Sequence, residues 1–331
     1  MLQYEIVRSL AKPAARSKVD AARARLGSLP IDVLRPLNSK LVTALHKAKV
    51  RTLSDFVRRA DAVQALVPAN IVQLLYCLLF WPAYDPGPPC AWQQLFAQAP
   101  LSSFQSLPAT FRLDFGPVYY RGRLDGTARV LVVGQDPSTD EILAERIFIG
   151  QAGQRLQKLL RKLGLTRSYV MFNTYLYSVY GQYNDVKSAL QANPAVDTAV
   201  RKFRNMLLDK AKSTNSLEAV LAFGTAAHDA VAQWPGASGL TCFNLTHPTA
   251  TDATVVANWN SHLAQMQSAI TPDQSSLVDP SPCAAITDPA AFADVPRQDL
   301  PFGIPSWHGT GGGTHSKRSG ATQIIWSTTT V

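Results

Sequence analysis

Three side chains of complementary chemistry stand at the ends of apolar runs. Asp136 follows Val130-Leu131-Val132-Val133-Gly134, Asn173 closes Tyr169-Val170-Met171-Phe172, and His247 follows Cys242-Phe243-Asn244-Leu245. A carboxylate can orient a water and face a developing cation, and an imidazole can donate to a developing anion. An amide presents a donor and an acceptor side by side. The three are 37 and 74 residues apart in the chain, so only elements ending on a common edge bring them together. Taken singly, each also reads as ordinary structure, since an Asp after a strand caps helices and His-Pro makes turns.

The elements between them supply such an edge. Val130 to Gly134 is a continuous apolar run of the kind that a strand buried on both faces shows. Leu156, Leu159, Leu160 and Leu163 then recur at helical spacing, and Gly164 closes that helix. A second strand over 169–173, a helix over 196–212, a third strand over 219–224, a helix over 225–234 and a fourth strand over 242–245 follow. Strands alternating with helices predict an α/β fold, a central parallel four-stranded sheet flanked by helices, with ligands at the carboxyl ends of the strands. No G-x-G-x-x-G follows the first strand, which disfavours a dinucleotide-binding protein.

The ordered set Gly134-Gln135-Asp136-Pro137, Phe148-Ile149-Gly150-Gln151-Ala152-Gly153, Asn173 and His247-Pro248-Thr249 resembles the uracil-DNA glycosylase superfamily over roughly residues 129–265. The first motif is similar to that of the classical uracil glycosylases, and the helix start at Phe148 is similar to that of the iron-sulfur branch. The resemblance implies a monofunctional DNA glycosylase of base excision repair that flips uracil out of DNA and leaves an abasic site. It implies Asp136 and His247 as the catalytic pair, with Gln135 (through its backbone amide), Phe148 and Asn173 binding the base. Hydrolysis of a pyrimidine nucleoside builds positive charge on the sugar and negative charge on the base, which is the chemistry an aspartate and a histidine donor serve. A Phe before such a helix also reads as core. Alternatives left open are a non-catalytic module of the same fold that binds damaged or single-stranded DNA, and a glycosylase preferring hypoxanthine.

Departures from the family pattern carry expectations of their own. Ser138-Thr139 stands where the classical enzymes continue with Tyr-His, so exclusion of thymine must arise elsewhere. No cysteines stand near Tyr177, so no iron-sulfur cluster, metal or other cofactor is expected. After His247 the chain reads Pro248-Thr249-Ala250-Thr251-Asp252, with Val255 the nearest apolar candidate to fill the space of a flipped base. Gly239 to Thr246 lacks the basic insertion of a covalently trapping branch.

Around this domain, residues 1–83 read as a basic helical region, 84–128 as an irregular aromatic-rich connection, 129–270 as the glycosylase-like domain and 271–331 as a Pro/Gly/Ser-rich tail that is partly packed. Residues 1–83 carry a surplus of 8 cations out of a net +9, which favours a polyanionic partner. Within them, the stretch from Leu29 to Val57 is similar to helix-hairpin-helix modules that hold a phosphate backbone through amides and lysines, with Ser54 placed to cap the second helix. Lys40, Lys47, Lys49 and Arg51 would crowd one end of it, and Lys317 and Arg318 in the tail form a second candidate contact with DNA. A basic helical cap on the main domain is the other reading of this region. Four scattered cysteines and the absence of an apolar stretch of membrane-spanning length predict a soluble, cytoplasmic protein, and the resemblance implies uracil-containing DNA as its partner, with the protein expected to be a monomer.

Overall fold

The computed structural model describes residue 8 and residues 11–69, 71, 84–85 and 87–301, with backbone alone at 23–25, 57–58 and 60–61. Two compact units divide between Pro86 and Gly87. Among the described residues no helix is long and apolar enough to cross a membrane.

The first unit has its own core, in which Leu29, Ile31, Leu45, Val50, Leu53 and Phe56 are buried. Helices α1 (Arg16–Ala21), α2 (Ser39–Lys47), α3 (Leu53–Arg58) and α4 (Ala60–Leu66) surround it. Lys49 takes a left-handed conformation, φ 61°. Around it the Val50 N–H reaches the Leu45 carbonyl at 2.9 Å and the Lys49 N–H reaches His46 at 3.0 Å. This double closure ends α2 and turns the chain directly into α3. Thr52, not Ser54, caps α3: its hydroxyl accepts the Asp55 N–H at 3.1 Å while the Asp55 carboxylate accepts the Thr52 N–H at 3.0 Å and the Arg51 N–H at 3.1 Å. Those reciprocal bonds engage amides that the helix-hairpin-helix likeness would offer to phosphates.

The four cations of this region are exposed but do not share one end. Lys47, Lys49 and Arg51 gather at the turn, whereas Lys40 sits in the first turn of α2, seven residues and roughly 10 Å away along the axis. Lys317 and Arg318 lie outside the described residues.

The second unit is built on a five-stranded sheet in the order β1-β3-β2-β4-β5. Strands β2 (Val130–Gly134), β3 (Tyr169–Asn173), β4 (Ala219–Phe223) and β5 (Thr241–Leu245) are parallel, as the apolar runs predict. The fifth, β1 (Arg121–Gly122), adds antiparallel to β3 at the edge and is too short to show a pattern in sequence.

Every residue of β2, β3 and β4 is buried, because helices cover both faces. On one face Leu131, Val133, Val170, Phe172, Val220 and Ala222 pack against α10 (Pro194–Thr214) and α11 (Thr225–Ala232). The same core takes in Trp92, Phe96, Phe104, Phe111 and Tyr120, so these aromatic rings serve packing. They come from α5 (Cys90–Phe96), α6 (Leu101–Gln105) and the chain that follows. On the other face Val130, Val132, Met171, Leu221 and Leu245 meet the leucines of α8 (Gln151–Lys162) and Val255, Trp259, Leu263 and Met266 of α12 (Asp252–Ala269). Two short helices, α7 (Thr139–Ala144) and α9 (Tyr183–Gln191), sit in the connections near the carboxyl ends of β2 and β3.

Beyond α12 the chain returns across this second face. Asp273 accepts the N–H groups of Thr166, Arg167 and Ser168, and Asp279 pairs with the buried Lys162. Ala291, Val295 and Leu300 are buried.

Candidate active site

The register of the sheet builds half of the site. Gly134 of β2 pairs with Asn173 of β3, and the ladder continues past both strands, with Thr174 N–H on the Gly134 carbonyl at 2.9 Å and Tyr175 N–H on the Gln135 carbonyl at 2.9 Å. Asp136 and Asn173 are thereby held on adjacent strand ends. Asp136 is half-buried, and its Oδ2 accepts the Val179 N–H at 3.1 Å while Oδ1 accepts from Gln135 Nε2 at 3.0 Å. It is not the cap of the following helix. Ser138 and Glu141 form that capping box, in which Glu141 Oε2 accepts the Ser138 N–H at 3.0 Å.

Glu141 also ties this loop to the next one, since its Oε1 accepts the Ile149 N–H at 3.2 Å. Burial, with the neighbouring Asp140 charge adding to it, pushes its carboxyl up to about 7 despite those amides.

Phe148 closes the floor. Its ring and the Asn173 amide oxygen both lie against Gly134: a Cβ there would stand 2.6 Å from Phe148 Cε2 and in contact with Asn173 Oδ1. Only a glycine lets both approach the strand end so closely. Phe148 holds φ at 53°, rare for a bulky residue, and its carbonyl crosses the first turn of α8 directly over Gly153. That crossing is the reason for the last glycine of the Phe148–Gly153 motif. The ring is 5% exposed and belongs to the core beside Phe223. Stacking a base on it therefore requires neighbouring side chains to move aside.

His247 arrives from β5. Its Cβ packs on Gly224 at the end of β4, and its ring lies 6.3 Å from the Phe148 ring, centroid to centroid. Nδ1 accepts the Thr249 N–H at 3.3 Å and lies 2.9 Å from the Thr249 hydroxyl, so a neutral imidazole carries its proton on Nε2. The loop itself is pinned by Trp259 Nε1 on the Thr246 carbonyl at 2.9 Å and by Arg155 Nη1 on the Pro248 carbonyl at 2.9 Å.

Arg155 is buried, bonded also to Asp252 and stacked over Trp259. Sequence reasoning missed it, although a cation one turn before Leu159 on the apolar side of α8 was a usable signal. Val255 does not offer a wedge, because it is fully buried under the sheet. Thr249, Ala250 and Thr251 are the exposed residues of that loop.

The structure thus brings Gln135, Asp136, Phe148, Asn173 and His247 together at the carboxyl ends of the parallel strands, next to the point where successive connections leave β2 in opposite directions. A separate cavity of about 270 Å³, lined by Gln157, Arg161, Thr166 and Leu277, lies toward the opposite ends of the strands and includes none of these residues. Among the described residues no group of three His, Cys, Asp or Glu is arranged to hold a metal ion. No curated protein matches the chain. Residues 122–272, which hold the whole parallel sheet and its strand-end residues, match the family model of the Uracil DNA glycosylase superfamily.

Proposed function

We propose that the protein is a monofunctional DNA glycosylase that hydrolyses the N-glycosidic bond of uracil in DNA. The match of residues 122–272 to the superfamily's model supports a glycosylase acting on DNA, and the observation that carries the finer reading is the placing of the Phe148 ring against Gly134 and the Asn173 amide, 6.3 Å from the His247 ring, with Asp136 two residues beyond Gly134.

Uracil leaves the duplex stack at a cost of a few kcal/mol, which contacts in the pocket must offset. Asn173 reads it, since an amide matches the O4 and N3–H edge of uracil and mismatches the reversed pattern of cytosine. Stacking on Phe148 contributes roughly 1–3 kcal/mol. As the C1′–N1 bond breaks, positive charge spreads over the sugar and the bonding pair passes to the base. Asp136 faces that charge and holds a water at C1′. The water oxygen bonds to C1′, its proton passes to the Asp136 carboxylate, and the base departs as an anion that solvent then protonates.

His247 stabilises that anion by donating Nε2–H to the base carbonyl, an interaction worth ~3–4 kcal/mol of barrier. Acceptance of the Thr249 N–H at Nδ1 supports this role, because it fixes the tautomer.

The test is a panel of oligonucleotides bearing one uracil, hypoxanthine or mismatched thymine, scored by strand scission after alkali. Uracil should be cut first, and Asp136→Asn should lower the single-turnover rate by at least 10²-fold with DNA affinity within twofold. Binding without release of any base would make the domain a non-catalytic reader, and faster release of hypoxanthine would reassign its substrate.

A further inference from the structure

The Phe148 carbonyl is met by a residue that lies outside the family-matched segment. Arg121, just before that segment, is completely buried, and its Nη1 donates to the Phe148 carbonyl. Its Nη2 donates to Gln157 of α8, and its Nε meets Asp299 Oδ2 at 2.8 Å. Asp299 lies well beyond the matched segment and is also completely buried. Its other oxygen pairs with Arg123, and the Tyr169 hydroxyl donates to Oδ2 at 2.7 Å. Burial, reinforced by the Asp299 charge, holds the Tyr169 phenol protonated far above neutral pH, so it remains a donor.

We infer that Arg121 and Asp299 are positioning residues for the base platform: the returning C-terminal segment locks Arg121, and Arg121 locks the left-handed backbone of Phe148. This inference rests on the proposed role of Phe148 in holding the base. Two features argue for it beyond simple packing. First, φ near +53° costs a bulky residue energy that its surroundings must override, and the guanidinium meets the strained peptide directly at its carbonyl. Second, Arg121 uses one edge of its fork on Phe148 and Gln157 and presents Nε to Asp299, so the geometry depends on a planar guanidinium and not on charge alone. Lysine cannot reproduce it.

The experiment exploits a coincidence of sequence, in that Phe is followed by Ile once only, at Phe148-Ile149. Labelling Phe carbonyl carbon and Ile amide nitrogen therefore gives a single carbonyl-correlated resonance in the full-length protein. Arg121→Lys, with Asp299→Asn as the second variant, should displace or broaden that resonance while the remaining amide spectrum keeps its dispersion. In parallel, Arg121→Lys should lower uracil release about tenfold with affinity for undamaged DNA unchanged. The same substitution in a Phe148→Ala background should cost less than a further twofold, because its effect passes through the ring.

An unmoved resonance in both variants, or a full additional tenfold loss in the Phe148→Ala background, overturns the inference. A wild-type protein that releases no base removes the glycosylase reading alone, since the resonance still reports whether Arg121 sets the Phe148 backbone.

Discussion

Adding a single methyl group at Gly134 tests the site where sheet and chemistry meet. The Cβ of Gly134→Ala would stand 2.6 Å and 2.8 Å from two ring carbons of Phe148, and against Asn173 Oδ1. Carbon atoms pack favourably at roughly 3.5–4.0 Å, so the ring must retreat by about 1 Å or the amide must swing away. Overpacking of that size costs typically ~1–3 kcal/mol of stability. A displacement of about 1 Å at the reacting centre is worth about 10²-fold in rate.

The assay is single-turnover release of uracil from an oligonucleotide with one deoxyuridine, beside a urea melt of the same sample. Gly116→Ala serves as the control, because nothing lies within 4 Å of a Cβ there. It should match the wild type in both measurements. The expected result for Gly134→Ala is a loss of about two orders of magnitude in rate on a protein that still folds. Should it release uracil within threefold of the wild-type rate, Phe148 and Asn173 are not the base-binding pair.

Glu141 makes stability fall as pH rises: its carboxyl titrates near 4.5 when unfolded and at about 7 when folded, so the folded state holds the proton more tightly across that interval. At 1.36 kcal/mol per pH unit, wild type should lose on the order of 3 kcal/mol relative to Glu141→Gln between pH 4.5 and pH 8, read from urea melts; parallel profiles would remove the burial argument. Asp252→Ala strands the buried Arg155 guanidinium, and because the Asp252 side chain is 30% exposed the cost should be nearer ~2 kcal/mol than the larger figure for a fully buried pair. A melt shifted by less than ~0.5 kcal/mol would show that the Pro248 carbonyl alone satisfies Arg155. Replacing Lys47, Lys49 and Arg51 by Gln should flatten the dependence of log affinity on log salt by up to about 3, at roughly 0.9 for each phosphate no longer neutralised, while an unchanged slope would take the turn of the first unit off the DNA.

Parts of this site are legible in the sequence because they obey a local rule. Three strands hidden on both faces, β2, β3 and β4, must be continuous apolar runs, and they are, while the fourth parallel strand, β5, exposes Thr241, Cys242 and Asn244. Their ends then follow from topology, which is how Asp136, Asn173 and His247 converge despite their separation in sequence. What escapes has no local signature. β1 spans two residues, fewer than any periodicity needs. Asp299 sits in a stretch whose proline, serine and alanine content reads as flexible, yet one carboxylate bonded to Arg121, Arg123 and Tyr169 anchors it. Serine is a favoured cap, which points to Ser54 at the start of α3, but Thr52 is three residues before an aspartate that can return the bond. Val255 stands close to the histidine in sequence, but helical geometry turns it inward to the sheet.

The division between ladder and loop has a consequence for how the site fails. Asp136 and Asn173 are held by backbone bonds that belong to the sheet itself, so a substitution that moves them must disturb the core. Phe148 and His247 stand on loops outside the ladder, and buried arginines, Arg121 and Arg155, hold the carbonyls of Phe148 and Pro248. A buried guanidinium is expensive to desolvate and stays in place only while every arm of its fork is matched. Such pins define position more sharply than they stabilise the fold. Weakening one should therefore degrade the placement of ring or imidazole before it unfolds the domain, whereas damage to β2 or β3 should lose fold and activity together.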